Sequence, residues 1–133
     1  MNIRTMGLPA VFVIIALLAM AGCAHLQKPV SVSPAPGPEV MNMTAQNFKF
    51  TPNNIDAREG DVIVFRIRNI SSTLHNFTLK NPDGKKIAEA DLPPGKTTEI
   101  KASFPRPGSY EFYCDKDSHA LLGMKGRVEV SKR

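Results

Sequence analysis

The stretch Tyr110-Glu-Phe-Tyr-Cys-Asp-Lys-Asp-Ser-His-Ala-Leu-Leu-Gly-Met-Lys-Gly126 changes character at Cys114. Up to that residue it alternates, with Tyr110, Phe112 and Cys114 on one side of an extended chain and Glu111 and Tyr113 on the other. That is the period of a half-buried β-strand. Beyond Cys114 the alternation stops, and His119 and Met124 follow in a segment without strand or helix periodicity. Upstream, Leu74-His-Asn-Phe77 places His75 on the same face as Phe77 and Leu79. If the apolar residues of both strands point inward, His75 and Cys114 do too, and both stand at strand ends. Adjacent strands over 74–79 and 109–114 would hold them at one pole, with the 115–123 loop returning His119 and Met124 above them. One thiolate, two imidazoles and a thioether form a donor set that suits copper cycling between Cu(I) and Cu(II), since sulfur favours the reduced ion and imidazole serves both.

The rest of the domain carries the same period. Ile63, Phe65 and Ile67 alternate with Val64, Arg66 and Arg68; Thr98, Ile100, Ala102 and Phe104 alternate with Glu99, Lys101 and Ser103; Val128 and Val130 alternate with Arg127 and Glu129. Turn chemistry separates these runs. Asn81-Pro-Asp-Gly84 suits a type I turn closed by glycine, and Pro94-Gly95 suits the central pair of a type II turn. No segment offers a long helical period. Seven or eight short strands punctuated in this way predict an all-β, antiparallel sandwich over residues 39–133, enough chain for one small domain.

From about Glu39 to Lys132 the chain resembles a cupredoxin, the blue-copper family of plastocyanin, azurin and rusticyanin. The resemblance rests on Phe50-Thr-Pro, Glu59-Gly-Asp-Val62, Asn69, His75-Asn76, Pro107-Gly-Ser-Tyr110 and His119-Ala-Leu-Leu-Gly-Met-Lys-Gly126, in that order. It implies a Greek-key sandwich and one copper held by His75, Cys114, His119 and Met124, with Asn76 bracing the Cys loop. Four residues separate Cys114 from His119 here, whereas many relatives have two; four also occurs in the rusticyanin and azurin types. In the family the second loop histidine reaches the surface within an apolar patch, so Ala120, Leu121, Leu122 and Gly123 are the candidate docking face. Leucines packed down onto the core are the alternative at those positions.

The N-terminal residues place the domain. Arg4 precedes an apolar run from Leu8 to Met20, too short for the roughly 20 residues of a comfortable membrane span. The run ends in Ala19-Met-Ala-Gly-Cys23, which resembles a bacterial lipobox, so residues 1–22 are expected to be a removable signal and Cys23 a lipidated N-terminus. An uncleaved anchor with an incidental cysteine is the alternative; either way the domain lies outside the cytoplasm at a membrane. Ala24 to Pro38 carries four prolines in fifteen residues and reads as a semi-extended tether. At ~3 Å per residue it spans ~40 Å. His25 belongs to this tether and is a bystander. Ala24 after Cys23 lacks the aspartate that retains many lipoproteins at the inner membrane, favouring outer-membrane sorting in a two-membrane bacterium.

With Cys23 lipidated, Cys114 has no partner for an intramolecular disulfide. A free thiol in an oxidising compartment is a liability unless something uses it. Zinc sites rarely include Met and usually carry more Cys. No Cys-x-x-Cys-His for haem occurs, and a dinuclear copper centre would need a second Cys in the loop. Only His75 and His119 lie in the domain, so a reactive second copper has no ligands and no enzyme is expected. The chain has 17 basic and 12 acidic residues; loss of Arg4 leaves 16 − 12 = +4, dispersed among strands and turns. This pattern does not suggest nucleic acid and suits weak steering toward an acidic partner. The expectation is a monomeric single-electron carrier between an unidentified redox donor and acceptor. The rival class is copper storage or delivery, and a scaffold with a vestigial site is a third that would need a lost ligand.

Overall fold

The computed structural model describes residues 37–133, so the signal, Cys23 and all but the last two residues of the tether lie outside the described residues. Nine strands run in chain order: β1 (Glu39–Gln46), β2 (Lys49–Thr51), β3 (Asn54–Arg58), β4 (Val62–Asn69), β5 (His75–Lys80), β6 (Lys86–Leu92), β7 (Thr97–Ser103), β8 (Gly108–Tyr113) and β9 (Lys125–Ser131). There is no helix among the described residues, and hence none long and apolar enough to cross a membrane. One sheet has the order β2-β1-β4-β7 and the other β3-β9-β8-β5-β6.

The all-β sandwich predicted from alternation is the observed fold. The strand number is nine rather than seven or eight, because the Asn47–Phe48 turn sets off a three-residue β2 antiparallel to β1. Two pairings are parallel rather than antiparallel, β1 with β4 and β3 with β9. Between the members of each parallel pair the chain passes through the opposite sheet, the long crossover that parallel pairing needs.

Alternation works as a burial code in β4, where Ile63, Phe65 and Ile67 are buried, and in β7, where Ile100 and Ala102 are buried. The two sheets meet over an aromatic core in which Phe77 and Phe112 stack with centroids 5.1 Å apart and Phe50 sets its edge against both. Offset stacks and edge-to-face pairs stabilise by about 0.5–1.5 kcal/mol each beyond the area they bury. Tyr110 joins this core and satisfies its hydroxyl on the Arg106 carbonyl at 3.1 Å. The predicted turns are present: Gly84 N–H donates to the Asn81 carbonyl at 2.8 Å, and Lys96 N–H to that of Pro93 at 3.2 Å across a Gly95 of φ 68°.

This architecture brings β5 beside β8, with Thr78 opposite Tyr113 and Leu79 opposite Phe112. The start of β5 and the end of β8 therefore lie at the same pole, the arrangement that a site built from His75 and Cys114 requires.

Candidate metal centre

His75 opens β5 and Cys114 immediately follows β8. Both are fully buried, because the strand period that turns Phe77, Leu79, Tyr110 and Phe112 into the core turns these two polar residues the same way. The chain then leaves the sheet through a compact loop. His119 N–H donates to the Lys116 carbonyl, Leu122 N–H to that of Ser118 and Gly123 N–H to that of Ala120, each at 3.1 Å. This winding returns His119 over the pole, where it is nearly buried. Gly123 sits at φ 102°, a conformation that L side chains rarely adopt, so glycine is the residue that lets the loop turn back.

Two backbone bonds stitch Met124 to the other loop residues. Cys114 N–H donates to the Met124 carbonyl, and Met124 N–H donates to the His119 carbonyl, both at 3.0 Å. The Met124 side chain is fully buried. All four residues singled out in the sequence therefore converge on one pole of the sandwich.

Three donors face one another directly. His75 Nδ1 lies 3.2 Å from His119 Nδ1, Cys114 Sγ lies 3.3 Å from His119 Nδ1, and Cys114 Sγ lies 4.0 Å from His75 Nδ1. They form a buried group of metal-ligating side chains whose donor atoms all fall within 4.8 Å of one another. Separations of this size are what two bonds of about 2 Å span when they diverge from a common ion. A thiol and two imidazoles, with a buried methionine tied through its backbone to two of the three residues, match the preferences of copper, so the residues present fit the ion that the sequence implied.

The electrostatics favour the ligating form of His75. Burial, with His119 as a second cause, pushes the His75 pKa below the ordinary imidazole value, which keeps its ring neutral and its lone pair available near pH 7. Cys114 Sγ accepts the backbone N–H of Asn76 at 3.4 Å, which fixes the sulfur at the end of β8. The Asn76 side chain ties the two halves of the site together, since its Oδ1 accepts Asp115 N–H at 2.7 Å while its Nδ2 donates to Thr78 Oγ1 at 3.2 Å. Asn76 is itself buried.

The residues flanking His119 divide. Leu121 is 89% exposed and Leu122 59%, Ala120 is half-buried and Gly123 is exposed, so the paired leucines face outward rather than packing onto the core. A groove of about 840 Å³ runs beside them, lined by Lys80, Tyr113, Leu121, Lys125 and Arg127 among others.

Sequence reasoning missed several residues that touch the histidines. Asn47 Oδ1 lies 3.0 Å and Ser71 Oγ 3.1 Å from His75 Nε2, and the Phe48 ring lies 4.8 Å from that of His119. The signal for Ser71 was its place between Asn69 and His75, in a loop dense in hydroxyls. Asn47 and Phe48 come from a turn in the opposite sheet and carry no local pattern that points to a metal.

A family model described as a cupredoxin-like domain matches residues 10–128 of the chain. Plastocyanin from Dryopteris crassirhizoma is 30% identical over 95 residues, a match covering 63% of this chain and 89% of that protein. Among solved structures, dithionite-reduced auracyanin from Roseiflexus castenholzii aligns with a TM-score of 0.64 at 21% identity, over 72% of this chain and 99% of that one. Auracyanin A from Chloroflexus aurantiacus, described as a "blue" copper protein, aligns with a TM-score of 0.62 at 20% identity, over 71% of this chain and all of that one. At those identities the structural likeness carries the fold.

Proposed function

The chain belongs to the cupredoxin-like family, and from that premise we propose that it is a lipid-anchored carrier of single electrons outside the cytoplasm. One copper ion is its cofactor. The observation that carries the reading is the buried triangle of His75, Cys114 and His119. Bound copper supplies a one-electron Cu(I)/Cu(II) couple, and the protein's part is to hold donors that neither state fully prefers.

The chain does this with backbone bonds. His75 is fixed in β5, Cys114 is braced by Asn76 and Met124, and His119 is tied to Met124. Donors held in this way move little between oxidation states. His75, Cys114 and Met124 have no solvent exposure and His119 has 7%, so water is excluded and His119 is the ligand nearest the surface. Metal handover to a chaperone or acceptor would require this closed loop to open, which weighs against the storage or delivery reading.

Met124 is assigned as the weak fourth donor, whose electron donation stabilises the more charged Cu(II) state. Met124→Leu is then expected to raise the reduction potential and Met124→Gln, with a harder oxygen, to lower it. Equal potentials for the two variants, measured by redox titration, would remove Met124 from the ligand set.

Electrons are proposed to enter and leave through His119, with Leu121 and Leu122 forming an apolar docking rim. Redox complexes are small and short-lived, and apolar contact around the ligand nearest the surface gives close approach with fast release. Lys80, Lys125 and Arg127 outnumber Glu111 in the adjoining groove, which favours an acidic partner. Leu122→Lys is expected to slow electron transfer to the native partner in stopped-flow mixing while leaving the visible spectrum unchanged. Unaltered transfer would show that this rim plays no part in docking.

Anchoring is proposed through Cys23 after removal of residues 1–22. Two or three acyl chains there would hold the protein stably, where one chain is marginal. Mass spectrometry of the mature protein should find a lipid adduct on a chain beginning at Cys23. A mature chain starting elsewhere and free of lipid would refute the anchor and, with it, outer-membrane sorting.

A further inference from the structure

We propose that Asn47 and Ser71 fix His75 in a single tautomer, with its hydrogen on Nε2 and the Nδ1 lone pair kept free for the metal. The inference rests on the copper reading and deepens it, assigning to two residues outside the donor set the task of presenting one donor in its ligating form.

The argument is an accounting of hydrogens. Nε2 of His75 is approached by Asn47 Oδ1 at 3.0 Å and by Ser71 Oγ at 3.1 Å. A carboxamide oxygen has no hydrogen to give, so the first contact is a hydrogen bond only if Nε2 carries one. Ser71 has a hydroxyl hydrogen, but that hydrogen has a nearer acceptor in Asn69 Oδ1 at 2.8 Å. The orientation of Asn69 is settled by its partners: its Nδ2 donates to the carbonyls of Thr73 and Leu92 at 2.7 and 2.8 Å, which leaves Oδ1 facing Ser71. That same oxygen also takes the Ser71 backbone N–H at 2.9 Å. Ser71 Oγ is left as an acceptor, receiving the Thr73 N–H at 3.2 Å and a share of the His75 hydrogen. Asn47 agrees with this accounting, its Nδ2 resting on Thr73 Oγ1 at 3.4 Å and its oxygen facing the ring. Both oxygens at Nε2 therefore accept.

A neutral imidazole carries one ring hydrogen. With that hydrogen held on Nε2, Nδ1 is a bare lone pair, and Nδ1 is the atom that faces Cys114 Sγ and His119 Nδ1. Without the two acceptors the ring would divide between tautomers, and the fraction with Nδ1–H would turn an N–H toward the donor cluster. Affinity falls in proportion to the competent fraction, and further as the ring loses its orienting bonds. The turn that supplies Asn47 joins β1 to β2, in the sheet that does not contain His75. Its next residue, Phe48, packs its ring against His119. One turn of the facing sheet thus touches both histidines, orienting one by hydrogen bonding and the other by ring contact.

Long-range ¹H–¹⁵N correlation of the labelled copper-free protein, recorded where His75 is neutral, reads the tautomer directly. The expected wild-type result is a protonated Nε2 and a bare Nδ1. Asn47→Leu combined with Ser71→Ala should redistribute the hydrogen between the two nitrogens and weaken Cu(I) binding, measured by competition with a chromophoric chelator, by about ten- to a hundredfold. Asn47→Asp with Ser71→Ala keeps one acceptor and should restore both the tautomer and the affinity. A wild-type His75 with its hydrogen on Nδ1, or a folded double variant with the wild-type tautomer unchanged, would overturn the proposal. The wild-type measurement needs no variant, so a folding defect in the pair does not shield the proposal. It also needs no copper: a wrong tautomer strikes this inference alone, whereas a wild-type protein that fails to bind copper strikes the reading beneath it.

Discussion

A Cys114→Ser protein is expected to lose the intense visible absorption of its Cu(II) form entirely while remaining folded. The band arises from charge transfer out of a thiolate, and an alcohol cannot supply that donor at neutral pH. The substitution preserves the rest of the site. A serine hydroxyl is close in size to the thiol, can still receive the Asn76 N–H that Cys114 Sγ accepts at 3.4 Å, and can donate to His119 Nδ1, which lies 3.3 Å from that sulfur. The cost of the exchange is then about that of one hydrogen bond, on the order of 1 kcal/mol. A blue Cys114→Ser protein would remove Cys114 from the metal and leave the buried thiol as a packing residue.

Gly126→Ala is expected to be the most damaging single-methyl change in the domain. Gly126 stands opposite Phe112 in the β8–β9 ladder. A Cβ added there would fall inside contact distance of the Asn53 carbonyl oxygen and 2.5 Å from Cζ of Phe112. Neither neighbour can yield easily. The Asn53 carbonyl is backbone and accepts the Arg127 N–H at 3.0 Å, and Phe112 is stacked on Phe77 and edged by Phe50. Overpacking of this kind costs about 1–3 kcal/mol, and in a domain of this size each kcal/mol lowers Tm by about 4–8 °C. Because β8 ends next to Cys114 and β9 begins next to Met124, the same strain should disturb the copper site. A Gly126→Ala protein with the wild-type melting temperature and spectrum would show that the strand–core approach is looser than described.

Much of the fold was legible in the sequence wherever one face of a strand is buried and the other solvated. β4, β7 and the end of β9 declare themselves by strict alternation, and Asn81–Gly84 and Pro94–Gly95 declare the turns between strands. β6 was harder to read, since it is an edge strand with Ile87 40% exposed and only Leu92 buried, and the small Ala88 and Ala90 make its inner face a weak signal. The parallel pairings of β1 and β3 were also invisible, because alternation fixes which side chains face inward and says nothing of which neighbour a strand takes. The candidate site divides along the same line. His75, Cys114, His119 and Met124 could be found because chemistry-bearing residues are rare in this chain and three of them share one loop. Asn47, Phe48 and Ser71 could not be placed, because their roles arise from which turn of one sheet meets which strand of the other.

The most direct measurement of the central claim is the absorption and EPR spectrum of the wild-type protein loaded with one equivalent of Cu(II). A site of two imidazoles and a thiolate predicts an intense visible charge-transfer band, together with a copper hyperfine splitting narrowed by spin shared with Cys114 Sγ. Weak visible absorption with the broad splitting of a tetragonal nitrogen and oxygen site would contradict it.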